Sequence, residues 1–391
     1  MMKLFDKEPS FDIVGKIPLF WKASGSVLAV CVLLLTVVGL NFGIDFSGGY
    51  EIQVKFPKAV DEAEVKSHLA PLGLEGLRVQ RFGAVEDNEY LVLVREQGSI
   101  TGAQKTAIRA DFVALAGSED GLVNWAMAES GESITVAFAT PVTEEQVNAI
   151  LKKNKLHVKG VTRGDRQDRP EYSIGLVSIA DDIETALREG TGVASSEQLV
   201  KRVEFVGPQV GAELRNDGIM AIVYALGFIL LYIAVRFDLA FAPGAVLALI
   251  HDVLITVGVF SALGLEFNLP VIAAILAIVG YSLNDTIVVY DRIRENSLRY
   301  RGRTLRDLVN TSLNQTLSRT LLTSATTMLV VLALLIVGGG IIRDFSIALT
   351  VGVLVGTYSS VAIASPAYIF LRERAEKKVT ANKGKSSAVA A

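Results

Sequence analysis

One cysteine, three histidines and no lysine-bearing phosphate loop in 391 residues restrict the chemistry before any motif is read. With Cys31 alone, no intramolecular disulfide can form, so every folded part of the chain relies on its apolar core. His68 and His157 are isolated in sequence, and three histidines in all do not suggest a zinc site. The glycines of "FSGGY" and "GGG" lack the lysine and the strand-to-helix setting that cradle a nucleotide, so energy must come from elsewhere. The polar middle of the chain has no nucleophile-base cluster, which weighs against a membrane-anchored enzyme. No cofactor and no metal are expected.

Charge is scarce as well, at 20% of residues against 51% hydrophobic, and the mean hydropathy is +0.43. Such a balance is too apolar for an ordinary soluble protein and implies several membrane spans. The first apolar run follows Lys3, Lys7, Lys16 and Lys22, but Gly39-Leu40-Asn41 offers no small-x-small cleavage site. It reads as a retained helix over 25–41 after a cytoplasmic N-terminus, 1–24. Five further spans are predicted at 218–235, 241–263, 270–290, 317–337 and 345–370, each about the length a bilayer needs.

A loop at 291–316 carries Arg292, Arg294, Arg299, Arg301, Arg303 and Arg306, and a tail at 371–391 carries Arg372, Arg374, Lys377 and Lys378. Positive charge marks the cytoplasmic side, so six spans with both termini inside a plasma membrane satisfy the bias. Contact of the basic loop with anionic lipid, or with ribosomal or translocon surfaces, is a second reading of the same charges. The intervening segment, 42–217, is then exported. From Gly43 to Asn216 it holds 19 Lys and Arg against 27 Asp and Glu, a net charge of −8, which argues against nucleic acid as its partner.

That segment contains an internal repeat. "YEIQVKF" and "SITVAFA" each begin a strand, helix, strand, strand, helix, strand order, with alternation at Ile52, Val54, Phe56 and again at Ile134, Val136, Phe138. The order is that of the ferredoxin-like unit. We therefore expect an α-helical membrane protein with six transmembrane helices plus an exported α+β domain of βαββαβ units, in tandem at about 49–128 and 132–206. A single irregular α+β domain is the alternative.

Three spans carry ionisable groups. Asp285, beside Asn284, precedes the polar end of its helix at Asp291 by six residues, roughly 9 Å at the helical rise. His251 and Asp252 lie roughly 12–14 Å past Pro243 by the same rise. Arg319 opens the fifth span. A carboxylate in hydrocarbon costs about 2.5–3.5 kcal/mol on insertion scales, so Asp285 needs a partner, water or a proton. A buried carboxylate beside a cation can take and release a proton as the partner moves, which is how a gradient is coupled to conformation. The bland readings are a snorkelling Arg319 and a structural His251-Asp252 pair. Gly352, Gly356, Ser359 and Ser360 form a small face suited to close helix contact.

"GIDFSGG" after the first span, "VGPQVGAELRNDG" before the second, "LIHDV" in the third, "GYSLNDTIVVYDRIREN" in the fourth and "NQTLSRT" entering the fifth together resemble the SecD/SecF family, on its SecF side. The resemblance implies a subunit that pairs with SecD and uses the proton-motive force to drive or complete polypeptide translocation, distantly related to resistance-nodulation-division transporters. It implies SecYEG, YajC- or YidC-type accessory proteins, exported polypeptides and membrane lipid as partners. It assigns proton coupling to Asp285, Arg319, Asn284, His251 and Asp252. Gly43, Asp45, Gly48, Gly49, Gly207, Pro208 and Gly211 become structural motif residues. The competing reading is half of a small-molecule or lipid exporter of the related superfamily.

Overall fold

The computed structural model describes residues 9–83, 85–95, 100, 102–164, 170–236, 240–300 and 302–389, the side chains of 341 and 378–389 aside. Lys3, Lys7 and Arg301, counted above among the basic borders, lie outside the described residues, as does the side chain of Lys378. The chain divides into two compact units, one of 1–42 with 216–391 and one of 43–215.

The first unit is helical. Its long helices are α1 (Ile17–Val37), α7 (Pro208–Arg236), α8 (Ala242–Leu263), α9 (Leu269–Arg299), α10 (Leu305–Val337), α11 (Gly340–Ser359) and α12 (Ser365–Val389). A single π-helical turn, Ser360–Ala364, joins the last two into one span, so six segments among the described residues are long and apolar enough to cross a bilayer. A short parallel bridge pairs β1 (Asn41–Phe42) with β10 (Glu266–Phe267). Helices α8 and α9 and the last span are the more enclosed, whereas α7 and α10 turn apolar rows outward, with Phe228 71% and Leu329 69% exposed.

The basic stretch 291–316, expected as a loop, is helix over 291–299 and 305–316. Its apolar residues explain the extension. Ile293 on α9 and Leu308, Val309 and Leu313 on α10 are buried in one cluster with Val289 and Tyr290, so the two helices keep packing beyond the apolar run. Asn296 locks the pair by donating to the Ser312 Oγ at 2.8 Å and the Gln315 Oε1 at 2.9 Å.

The second unit is α+β. It contains α2 (Ile44–Ser47), β2 (Gly49–Lys55), α3 (Glu62–Leu69), β3 (Arg78–Phe82), β4 (Glu89–Val94) and α4 (Gly102–Ala116). These are followed by β5 (Leu122–Met127), β6 (Ser133–Phe138), α5 (Glu144–Lys153), β7 (Val158–Arg163), β8 (Glu171–Leu176), α6 (Ile179–Thr191) and β9 (Val200–Val206). Two antiparallel four-stranded sheets result, ordered β3-β4-β2-β9 and β5-β6-β8-β7.

The sheets are two in number, as the repeat implies, but their membership is not tandem. The last strand and helix of the apparent second repeat, β9 and α6, belong to the first sheet, and α4 with β5 belong to the second. Side-chain packing decides this. Ile179, Ile183 and Leu187 of α6 fill one core with Tyr50, Ile52 and Val54, while Ile108 and Phe112 of α4 fill another with Ile134, Val136 and Phe138. Both sheets keep the ferredoxin-like strand order. The second is a circular permutant inserted between β4 and α6 of the first, which is a correction to the boundaries 49–128 and 132–206.

The glycine motifs meet at the root of this unit. Gly43 caps α2, and Gly48 and Gly49 follow with φ of +74° and +129°, backbone that favours glycine. A Cβ on Gly48 would lie 3.1 Å from Pro208 Cα, and one on Gly211 would lie 3.2 Å from the Phe46 carbonyl. One on Gly49 would collide with the Val94 carbonyl, and one on Gly207 with the Glu129 carboxylate. The two motifs "GIDFSGG" and "VGPQVG" thus approach closely at Gly48 and Gly211; Asp45 lies in the first turn of α2.

Candidate functional site: a buried polar layer

Apolar helix faces leave a polar layer where α8, α9 and α11 meet. Asp252 is fully buried and accepts three hydrogen bonds: from Ser282 Oγ of α9 at 2.6 Å, from Ser359 Oγ of α11 at 2.7 Å, and at 2.9 Å from the adjacent His251 Nδ1. Such a set satisfies a carboxylate taken out of water. The approach of α11 is possible because Gly352 and Gly356 face Ile278 and Ser282; a Cβ on Gly356 would lie 2.9 Å from that of Ser282. The π-helical turn begins directly after Ser359, and Ser365 Oγ donates to the Ser360 carbonyl at 3.0 Å within it. Turns of this kind reset helix phase and concentrate at functional positions.

Asp285 sits three residues beyond Ser282 on α9 and is 2% exposed. Its Oδ2 has no hydrogen-bond partner among the described residues, and the same holds for His251 Nε2. The polar groups that act on the carboxylate are the Arg319 guanidinium and the Ser324 hydroxyl, both on α10. Ser324 in turn meets Thr357 Oγ1 of α11 at 2.6 Å and receives the Tyr281 hydroxyl at 3.2 Å. On the far side of His251, Tyr358 joins the layer to α1 through Ser24 Oγ at 2.9 Å.

Arg319 is exposed rather than enclosed. It lines a cavity of about 470 Å³ with Asp291, Arg292 and Glu295 of α9 and Gln315 and Thr316 of its own helix. Among the described residues no ion pair joins it to Asp285. Asn284, beside Asp285 in sequence, is exposed on a different face of α9, so the structure separates the two. The bundle therefore brings His251, Asp252 and Asp285 into one layer, sets Arg319 at its edge and leaves Asn284 outside. Ser282, Ser324, Thr357 and Tyr358 are members that the sequence reading does not name. The available signal was the three-residue step from Ser282 to Asp285, which puts both on one helix face.

A six-span helical bundle with a buried polar layer and an α+β domain between its first two spans defines a class: multi-pass membrane proteins that carry a folded domain between two of their spans. The family model described as "Protein export membrane protein SecD/SecF, C-terminal" matches residues 187–374, and "SecD/SecF GG Motif" matches residues 33–60. The protein translocase subunit SecF of Magnetococcus marinus is 38% identical, with 97% of this chain and 98% of the relative covered. That of Koribacter versatilis is 35% identical over 95% and 94%. The solved structure of SecDF, a translocon-associated membrane protein from Thermus thermophilus, matches with a TM-score of 0.63 at 31% identity, covering 95% of this chain and 40% of that one. The chain belongs to the SecF family of protein translocase subunits.

Proposed function

We propose that the chain is the SecF-type subunit of a protein-export machine, pairing with SecD and using the proton-motive force to drive or complete polypeptide translocation across the inner membrane. The observation that carries this reading is the buried layer in which Asp252 is fully hydrogen-bonded while Asp285, one helical turn from Ser282, keeps an oxygen unpaired. Asp252 and His251 hold α8, α9 and α11 together; Asp285 is the group left to exchange a proton, with Arg319 as the charge that moves with it. One charge crossing the field is worth about 2.3 kcal/mol per 100 mV, enough to bias two states of a domain outside the membrane.

Pairing with SecD is supported by the family and by the SecDF likeness, in which the matched chain is more than twice this length. Asn284 adds a physical reason: an exposed amide at the depth of Asp285 is costly against lipid and is better placed against another protein's helix. SecYEG, YajC- or YidC-type proteins and exported polypeptides follow as partners of the same machine. Both termini are assigned to the cytoplasm and residues 42–217 to the outside, on the basic residues that border the spans. Family membership favours this reading over half of a small-molecule exporter.

The test is secretion of a reporter by cells that carry single variants, with membrane levels of the SecD complex measured alongside. Asp285→Asn keeps size and hydrogen-bonding capacity but fixes the group neutral, so gradient-dependent export is lost while the complex persists. Arg319→Ala gives the same outcome, and Asp291→Asn, at the polar end, is much milder. Normal secretion with Asp285→Asn would move the coupling to SecD alone.

A further inference from the structure

Where α7 ends and α10 begins, the bundle opens a cavity of about 800 Å³, a size typical of small-molecule sites. Four arginines line it: Arg236 at the end of α7, Arg294 on α9, Arg303 before α10 and Arg372 on α12. Among the described residues Glu376 is the single carboxylate in the lining, 3.7 Å from the Arg372 guanidinium. Thr304, the N-cap of α10, adds the positive end of a 33-residue helix. Arg303 is also held in place, 4.7 Å above the Tyr300 ring.

Apart from Ser297, the other lining residues are apolar or aromatic. Phe241, Tyr368, Ile293 and Leu308 form the floor, all buried members of the core cluster that runs into the membrane-spanning helices. Val235, 80% exposed on α7, is at the rim. Guanidinium groups above an apolar floor, at the end of spanning helices, match an amphiphile with an anionic head. A free phosphate would use the arginines and leave the floor in water.

We propose that this cavity binds the phosphodiester headgroup of an anionic membrane lipid, with the arginines on its phosphate oxygens and its acyl chains running past Val235. Planar guanidinium forks suit phosphate, and basic pockets between spanning helices are a recurrent form of lipid recognition. Arg236 also borders the cavity that Arg319 lines, but Arg294, Arg303 and Arg372 do not, so a test at Arg294 and Arg303 is independent of proton coupling.

The experiment is native mass spectrometry of the purified full chain, titrated with phosphatidylglycerol or with phosphatidylcholine of the same acyl chains. Phosphatidylglycerol adducts survive detergent removal and phosphatidylcholine adducts do not. The double variant Arg294→Gln with Arg303→Gln, checked for folding by circular dichroism, loses about tenfold of the phosphatidylglycerol retention, the scale of charged hydrogen bonds removed. The Lys pair at the same positions retains part of it, and tests the site even if the Gln pair misfolds. Arg299→Gln, outside the cavity, changes nothing. Equal retention of both lipids, or retention unchanged in both double variants, overturns the proposal. Displacement of the lipid by millimolar inorganic phosphate reassigns the site to a soluble anion. Arginine-dependent capture of an acidic peptide with lipid retention unchanged reassigns it to a protein partner.

Discussion

Asp252 and Asp285 show how one residue type takes two roles through its neighbours. Asp252 has donors from two other elements and one from its own sequence neighbour, so its removal leaves several buried donors without an acceptor. Asp252→Ala is predicted to cost a few kcal/mol and to lower the thermal unfolding midpoint of the detergent-solubilised chain by several degrees. Ser359→Ala removes one of those donors and costs about 0.6–2 kcal/mol, the range for hydrogen bonds between membrane helices. An equal effect of the two substitutions, read by thermal unfolding, would mean that Asp252 is held mainly by packing. The carboxylates were legible in the sequence because a charge in an apolar run has few explanations. The hydroxyls were not. Serine and threonine satisfy themselves on the carbonyl a turn back, as Thr256 does on Asp252 at 2.8 Å, so their presence in a helix carries no signal of what they face. Only the register between α9 and α11 shows that Ser282 and Ser359 point at one oxygen.

At the scale of elements, strands and helices were readable from their periodicities, and their assignment to sheets was not. Strands β5 and β9 are both edge strands with no fully buried residue and both follow a helix, so the pattern fits either partner. What separates them is the volume that α4 and α6 bring to each core, which is tertiary information. The glycine pair at the start of β2 makes a sharper claim. Gly49 combines φ of +129° with contact against the Val94 carbonyl, so Gly49→Ala should destabilise the α+β unit by about 1–3 kcal/mol. Gly25→Ala on α1 meets nothing within 4 Å and serves as the control. Chemical unfolding of the two variants separates a strained glycine from an incidental one.

The permuted insert gives a test for the molecule as a whole. Replacing residues 96–177 with a short Gly/Ser linker should leave the sheet β3-β4-β2-β9 folded, because its core draws only on residues outside the insert. Tyr50 would lose its acceptor, the Ser130 carbonyl at 2.7 Å, so Tyr50→Phe should accompany the deletion to avoid a buried unpaired hydroxyl. Loss of strand signal in circular dichroism would show that the two units fold only together. The acidic charge of residues 43–216 also sets a pH response with two opposing parts. Lys55, 2.9 Å away, and Gln53 hold the Glu89 carboxyl below its usual range near 4.5, so its contribution is present above that value and is lost as pH falls through the lowered one. Burial, with the nearby Glu204 adding to it and Arg202 opposing, pushes Glu51 up. Its stability contribution is complete below 4.5 and is lost as pH rises through the raised value. Glu51→Gln should therefore stabilise the chain at pH 7 and not at pH 4, while Glu89→Gln should weaken it slightly at pH 7, within about 1 kcal/mol for a partly screened pair. Unfolding midpoints at the two pH values check both signs.

The position of the glycine motifs has a mechanical consequence. Chain enters the α+β unit at Gly49 and leaves it at Val206, and these two residues are paired neighbours on adjacent antiparallel strands. A load that drew the two ends apart would peel β2 from β9 one hydrogen bond at a time, the weakest way to stress a sheet. Gly48 seated on Pro208 and Gly211 seated on Phe46 hold the two leashes against each other, so the ends resist being drawn apart before the first strand bond is loaded.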